Sequence, residues 1–178
     1  VDSLALIKAV PQIMKKQKQI RMLDLGSGAG FPGIPLKIMF PEMEILLLDS
    51  LQKRVLFMNE VIESCSLSKI KAIHGRAEDM ANTDCRESFD LCVSRAVANL
   101  STLSEYCLPF VKKGGMFAAY KTLEIDEELK AAGKAIHILG GKARTPVRYT
   151  IASEHGRSIV IVDKIAETPK KYPRKSGT

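Results

Sequence analysis

The stretch Met22-Leu-Asp-Leu-Gly-Ser-Gly-Ala-Gly-Phe-Pro-Gly33 decides the fold, because an apolar run from Ile20 to Leu25 ends there in four glycines. The residues that follow, Ile34 to Ile38, read as the start of a helix with a proline in its first turn. Glycine accepts a positive φ and leaves no Cβ between the backbone and a ligand, while the start of a helix offers unpaired N–H groups. The stretch therefore predicts a strand, a tight turn and a helix that bind a ligand against bare backbone.

Two classes of ligand use this arrangement, and the glycine spacing by itself leaves both open. Gly28, Gly30 and Gly33 fit the G-x-G-x-x-G pattern of dinucleotide sites. Asp24 lies two residues before Gly26 and favours the other class, S-adenosylmethionine. A carboxylate there repels a pyrophosphate and attracts the amino group of a methionine moiety. S-adenosylmethionine is therefore the expected cofactor, and NAD or NADP is the alternative.

Outward from this stretch, apolar runs of strand length alternate with segments of helical periodicity. The alternation predicts an α/β fold with a doubly wound, mostly parallel sheet and helices on both faces. Only a polar turn separates the last two runs, which are therefore expected to pair as an antiparallel hairpin. A C-terminal hairpin on such a sheet is the arrangement of class I, Rossmann-like methyltransferases. The seven expected strands are Ile20–Leu25, Glu44–Asp49, Lys69–His74, Phe89–Ser94, Met116–Tyr120, Ala143–Ile151 and Arg157–Lys164.

In a doubly wound sheet the ligand lies across the carboxyl ends of the strands, so several strand ends are expected to form one site with the glycine turn. Asp49 ends the second strand, where it can accept hydrogen bonds from ribose hydroxyls. The segment Arg76-Ala77-Glu78-Asp79 follows the third strand, where adenine is expected. Arg95 follows the fourth strand, where the target and the methyl donor should meet. Glu127 and Glu128, by contrast, are expected on the surface of a helix.

Composition narrows the class of protein. The chain has 178 residues and a formal net charge of +7, from 27 Lys and Arg against 20 Asp and Glu. This length favours a single domain, and the charge favours an anionic partner such as nucleic acid. The four cysteines and three histidines show no metal-site spacing, so no metal is expected. No apolar run reaches the roughly 18 residues of a membrane span, so we expect no membrane partner and a cytoplasmic location.

The last eleven residues, 168–178, form a basic tail. They contain no Asp or Glu, and a solvated, frayed terminus is one interpretation of such a segment. The other is that the tail binds the phosphates of a nucleic acid. The candidate RNA-binding residues are Lys170, Lys171, Arg174 and Lys175.

Several motifs together resemble one family over essentially the whole chain. The glycine turn continues as Phe31-Pro-Gly-Ile-Pro-Leu36, which is not a general methyltransferase feature. Further matching motifs are Leu48-Asp-Ser-Leu-Gln-Lys-Arg-Val55, Gly75-Arg-Ala-Glu78, Ser94-Arg-Ala-Val97 and the segment 169–178. They resemble the bacterial guanine-N7 methyltransferases of small-subunit ribosomal RNA, also called glucose-inhibited division protein B.

The resemblance implies methyl transfer from S-adenosylmethionine to N7 of a guanine in 16S ribosomal RNA near the decoding site. The partner is then that RNA or the small ribosomal subunit particle, and we expect a monomer. One domain over residues 1–178 is expected, with an N-terminal helical segment of the family absent. The resemblance places Gly26, Phe31, Ala77, Glu78 and Arg95 at the cofactor, and the strand-end argument adds Asp24, Gly28 and Asp49. Arg95 is also the one candidate for a role in catalysis.

Three alternative functions stay open at this point. A dinucleotide-dependent oxidoreductase is allowed by the glycine spacing, although the terminal hairpin and Asp24 oppose it. A class I methyltransferase for another substrate would share the donor site. A non-catalytic RNA-binding protein on the same scaffold would keep the fold without the reaction.

Overall fold

A computed structural model describes residues 2–15, 20–96, 98–151 and 155–175, without the side chains of residues 13, 14 and 155. Within these ranges no helix is both long enough and apolar enough to cross a membrane. The strands there are β1 Arg21–Leu25, β2 Glu44–Asp49, β3 Ile70–His74, β4 Phe89–Ser94, β5 Val111–Thr122, β6 Gly141–Ala143, β7 Val147–Ile151 and β8 His155–Lys164. The α-helices are α1 Ala5–Ala9, α2 Pro11–Met14, α3 Gly33–Met39, α4 Gln52–Ser64, α5 Ala77–Met80, α6 Leu100–Cys107 and α7 Asp126–Ile138.

The strands form one sheet in the order β3-β2-β1-β4-β5-β8-β6, and β7 pairs with β8 beside β6. Strands β1 to β5 run parallel, whereas β8 is antiparallel to β5 and to both β6 and β7. The strand order reverses between β1 and β4, which is where ligands of such sheets bind. The predicted doubly wound, mostly parallel sheet with a C-terminal antiparallel hairpin is therefore confirmed.

Both faces of the sheet are covered by helices, which explains why its strands read as continuous apolar runs. Successive strand residues point to opposite faces. Ile45 and Leu47 of β2 pack in one core with apolar residues of α1, α3 and α4. Leu46 and Leu48 pack in the other core with residues of α6 and α7.

The C-terminal strands differ from the prediction in two places. The expected strand Ala143–Ile151 is split into β6 and β7, which pair with opposite ends of β8. Pro146 lies in the break and has no N–H to donate to a neighbouring strand. Strand β5 begins at Val111, before the expected start at Met116, and therefore includes Gly114 and Gly115.

The basic tail is held against the body of the protein as far as Lys175. The Arg86 guanidinium donates to the carbonyl oxygens of Tyr172 at 3.0 Å and Thr168 at 2.9 Å. Thr168 is buried, and Tyr172 packs against the core on the α6 side of the sheet. The described part of the tail is therefore ordered structure and not a frayed terminus.

Candidate active site

The glycine turn between β1 and α3 is tight and closes onto the end of β2. Gly26, Gly28 and Gly30 have φ angles of +73°, +61° and +91°, a region that side chains with a Cβ rarely adopt. The Gly26 N–H donates to the carbonyl oxygen of Leu48 at 2.8 Å. The turn thus starts directly above the sheet, where its backbone borders the carboxyl ends of the strands.

Asp24 joins the end of β1 to the start of α3. Its Oδ2 accepts a 2.8 Å hydrogen bond from the Gly33 N–H, and its side chain is fully buried. Its Oδ1 is also buried and has no hydrogen-bond partner among the described residues. Burial raises the pKa of the Asp24 carboxyl to about 7, and the Gly33 N–H and the Arg95 charge oppose this shift. The sequence-based expectation that Asp24 binds the methionine amino group remains a prediction.

Asp49 supports the same turn from the end of β2. Its Oδ2 accepts from the Gly28 N–H at 2.9 Å, and its Oδ1 accepts from the Leu51 N–H at 2.9 Å. Arg54 adds an ion pair at 3.5 Å, and the carboxylate is almost completely buried. In the described structure both carboxylate oxygens of Asp49 therefore accept hydrogen bonds from backbone N–H groups. Binding of ribose hydroxyls by Asp49 remains a prediction.

The carboxylates of Asp24 and Asp49 determine whether the glycine turn favours an anionic or a cationic ligand. A pyrophosphate needs the N–H groups of the glycine turn and of the helix start. Here the Gly28 and Gly33 N–H groups already bind Asp49 and Asp24. A dinucleotide would have to displace two acidic side chains, whereas a cationic ligand is attracted by the same residues. The geometry therefore opposes the dinucleotide alternative.

A cleft of about 320 Å³ lies at the carboxyl ends of β1, β2 and β3. Three of the predicted cofactor residues, Gly26, Ala77 and Glu78, line it. Tyr106 of α6 also lines it, and no motif or strand end in the sequence marks this residue. The other lining residues are Leu25, Leu48, Ser50, Leu51, Gly75 and Arg76.

The remaining predicted cofactor residues do not line this cleft. Asp24, Gly28 and Asp49 belong to the hydrogen-bonded support of the turn described above. Phe31 is half exposed beside the turn. Arg95 lies at a second cavity, where its Nη1 is 3.4 Å from Oδ2 of Asp2. Contact of these five residues with a cofactor remains a prediction.

The second cavity, of about 630 Å³, lies beyond the ends of β4 and β5. It adjoins the first cleft, since a Cβ built on Gly26 would lie 3.7 Å from the Cβ of Ala96. Among the described residues, no group of three or more His, Cys, Asp or Glu side chains could hold a metal ion. The residues that line the second cavity are Asp2, Arg95, Ala96, Tyr120, Lys121, Thr122, Glu128, Ile151 and Arg157.

Asp24 makes the stability of the fold depend on pH. Between its ordinary pKa of 3.8 and about 7, the unfolded chain ionises this carboxyl while the folded chain keeps it protonated. The stabilising contribution is present below the lower value and is lost as the pH rises through the higher one. We expect the wild type to lose on the order of 4 kcal/mol across this window relative to Asp24→Asn. Urea unfolding at a series of pH values checks this, and parallel pH profiles for the two proteins would contradict it.

Comparison with known proteins identifies the family. The model of the family "rRNA small subunit methyltransferase G" (GidB) matches residues 1–157. The chain belongs to this family. The methyltransferase G of Lachnoclostridium phytofermentans is 49% identical over 99% of this chain and 72% of that protein. The methyltransferase G of Clostridium novyi is 51% identical over 91% of this chain and 68% of that protein.

Solved structures of other proteins share the fold of this chain. A mutant of MtNAS in complex with S-adenosylmethionine superposes with a TM-score of 0.67 at 17% identity, over 93% of this chain and 62% of that chain. TrmN from Thermus thermophilus superposes with a TM-score of 0.66 at 17% identity, over 90% of this chain and 48% of that chain. At this identity the likeness concerns the fold alone.

Proposed function

We propose that the chain transfers a methyl group from S-adenosylmethionine to N7 of a guanine in 16S ribosomal RNA near the decoding site. The family carries the coarser activity, methylation of small-subunit ribosomal RNA. The observation that supports the donor is the cleft beside a glycine turn whose Gly28 and Gly33 N–H groups are bound by carboxylates. The proposal includes a cytoplasmic monomer that acts on the RNA or on the small ribosomal particle.

The residues of the cleft and of the glycine turn that borders it fit the donor. S-adenosylmethionine supplies an electrophilic methyl group on a sulfonium, and it carries an ammonium group. The buried Asp24 Oδ1, which has no partner among the described residues, fits that ammonium. Ala77 and Glu78 would hold the adenine at the end of β3. The two acidic side chains beneath the turn make the surroundings favourable for a positively charged donor.

Methylation at N7 requires little proton transfer by the protein. Guanine N7 carries a free in-plane lone pair at neutral pH, so its attack on a methyl group requires no prior deprotonation. The task is to hold N7 in line with the donor and to exclude water, and orientation of this kind can supply about 7–11 kcal/mol. Arg95 lines the second cavity beside the cleft and would help to build the place where the two reactants meet.

The basic tail supports an RNA substrate. Lys170 and Lys171 are exposed, whereas Arg174 is fixed by two short hydrogen bonds to Glu105. Glu105 precedes Tyr106, which lines the donor cleft. Lys170 and Lys171 follow Thr168, which bonds Glu87 beside the amino-terminal end of β4, so the tail extends from that end of the sheet to α6, one residue from the cleft wall.

Replacing both tail lysines with glutamine is expected to weaken the salt dependence of RNA binding. Each lost phosphate contact lowers the slope of log K against log salt concentration by about 0.7–0.9, so the Lys170→Gln/Lys171→Gln variant should lose about 1.5. The control is Lys69→Gln/Lys71→Gln at the start of β3, the edge strand on the far side of the sheet from β8 and the tail. Filter binding at several salt concentrations measures both slopes, and an equal decrease in both variants would contradict a role specific to the tail.

Calorimetric titration with S-adenosylmethionine and, separately, with NAD tests the donor. We expect binding of S-adenosylmethionine alone. Transfer of labelled methyl to unmodified 16S RNA, followed by chemical cleavage at N7-methylguanine, then tests the acceptor atom. Binding of NAD alone would overturn the methyltransferase function, and label at another atom would overturn the guanine-N7 specificity.

A further inference from the structure

Glu128 and Lys121 form a fixed charged pair on the wall of the second cavity. Sequence analysis places Glu128 on a helix surface, but the structure shows it partly buried, in contrast to the exposed Glu127. Its Oε1 accepts from the Lys121 Nζ at 2.8 Å and also from the Leu100 N–H. Lys121 is mostly buried and donates a second bond to the Ala98 carbonyl oxygen at 2.7 Å. Three elements, the end of β5 and the starts of α6 and α7, therefore hold the pair in place.

The pair has unused hydrogen-bonding capacity. Both bonds to Glu128 end on Oε1, and Oε2 accepts none from the described residues. An ammonium group has three donors, and Lys121 uses two within the described part of the chain. Asp2, the other carboxylate of this cavity, is already occupied by the Tyr149 hydroxyl at 2.6 Å and by Arg95. An acceptor and a donor thus lie side by side on the cavity wall.

We propose that this pair recognises the Watson–Crick edge of the target guanine: Glu128 Oε2 accepts from N1–H and the exocyclic amino group, and Lys121 donates to O6. The proposal rests on the proposed function, because it names residues that select the acceptor base. Adenine presents the reverse pattern, an amino group where guanine has O6 and a lone pair where guanine has N1–H. Adenine would therefore set donor against donor and acceptor against acceptor, which rejects it.

The same pair would favour the reaction itself. Methylation at N7 leaves the guanine ring with a positive charge, and its N1–H becomes a stronger donor. A carboxylate bound to N1–H therefore interacts more strongly with the transition state than with the neutral base, which is the condition for lowering the barrier. Because three elements already fix Glu128, little reorganisation is needed when the charge develops.

The variant Glu128→Gln tests this without a change of size. Lys121 and Leu100 both donate toward Oε1, so the amide oxygen must stay there and its NH₂ group takes the place of Oε2. The variant thus presents a donor where guanine also presents donors. We expect the rate of methyl transfer to fall about 10- to 100-fold, the range of a lost bidentate base contact, with unchanged affinity for S-adenosylmethionine. The control Glu127→Gln removes a negative charge from the adjacent, exposed residue and should keep the wild-type rate.

A second substitution, in the RNA, makes the assignment specific. Inosine at the target position keeps N7, O6 and N1–H but lacks the exocyclic amino group. We expect inosine to slow the wild type about tenfold and to slow Glu128→Gln no further, because the interacting groups are shared. Losses that multiply, or equal losses in Glu127→Gln and Glu128→Gln, would overturn the proposal while the function stands. A wild type that methylates no guanine in 16S RNA would overturn the function and the proposal with it.

Discussion

Gly33→Ala is expected to disrupt both the fold and donor binding. A Cβ built on Gly33 overlaps Cδ2 of Leu47 and lies 2.8 Å from Oδ2 of Asp24, the atom that accepts the Gly33 hydrogen bond. Overpacking of this kind costs about 1–3 kcal/mol, and the loss of a hydrogen bond to a buried acceptor adds about 1–3 kcal/mol. We therefore expect a loss of about 3 kcal/mol in the free energy of unfolding. The helix start must also move away from β1, so the affinity for S-adenosylmethionine should fall at least about tenfold.

The matched control is Gly133→Ala in α7, where a new Cβ meets no atom within 4 Å. Alanine is the better helix former by about 1 kcal/mol, so this variant should be more stable than the wild type and should bind the donor unchanged. Urea unfolding and calorimetry measure the two properties separately. If Gly33→Ala behaves like Gly133→Ala in both, the close packing of α3 on β1 is not required.

Lys164→Met is expected to have the largest effect on stability outside the active site. The Lys164 ammonium is completely buried and contacts four oxygen atoms, in Glu87, Leu108, Val111 and Thr168, at 2.7–3.0 Å. Burial lowers the pKa of this lysine, and the Glu87 carboxylate opposes the shift. Removal of the ammonium leaves the carboxylate and two carbonyl groups short of a donor. Loss of one partner of a buried ion pair costs about 3–5 kcal/mol.

The same variant should also loosen the basic tail. Thr168 begins that tail, and its hydroxyl bonds both Lys164 and the Leu139 carbonyl oxygen. Brief trypsin digestion should therefore cut at Lys170 and Lys171 faster than in the wild type. Lys112→Met, which removes a half-exposed ammonium paired with Asp90, is the control and should cost less than about 1 kcal/mol. Equal stability of the two variants would contradict the central role of the buried lysine.

The site shows how far each kind of sequence argument reaches. Motif and strand-end position predict Gly26, Ala77 and Glu78 at the cofactor, and all three line one cleft. The adjacent carboxylates Glu127 and Glu128 predict two side chains on a helix surface, but only Glu127 is exposed. The error has a physical cause: Lys121, the partner of Glu128, lies on β5, and helical periodicity reports nothing about which neighbouring element supplies a partner.

Local patterns by themselves determined the class of this protein. Alternating apolar runs and helical segments specify a sheet covered on both faces, and the glycine turn with its Phe31–Leu36 continuation specifies the family. These features depend on residues close in the chain, where periodicity and backbone preference act.

Only the tertiary structure decided which polar atoms already have hydrogen-bond partners within the protein. Asp49 binds the Gly28 N–H across 21 residues, Lys164 binds Glu87 across 77, and Arg86 holds Tyr172 across 86. Such partners are chosen when strands align and helices pack, because a buried polar group needs a partner from whichever element folding brings beside it. The glycine turn therefore opposes a pyrophosphate, and the described part of the tail is ordered, for reasons that no single stretch of sequence contains.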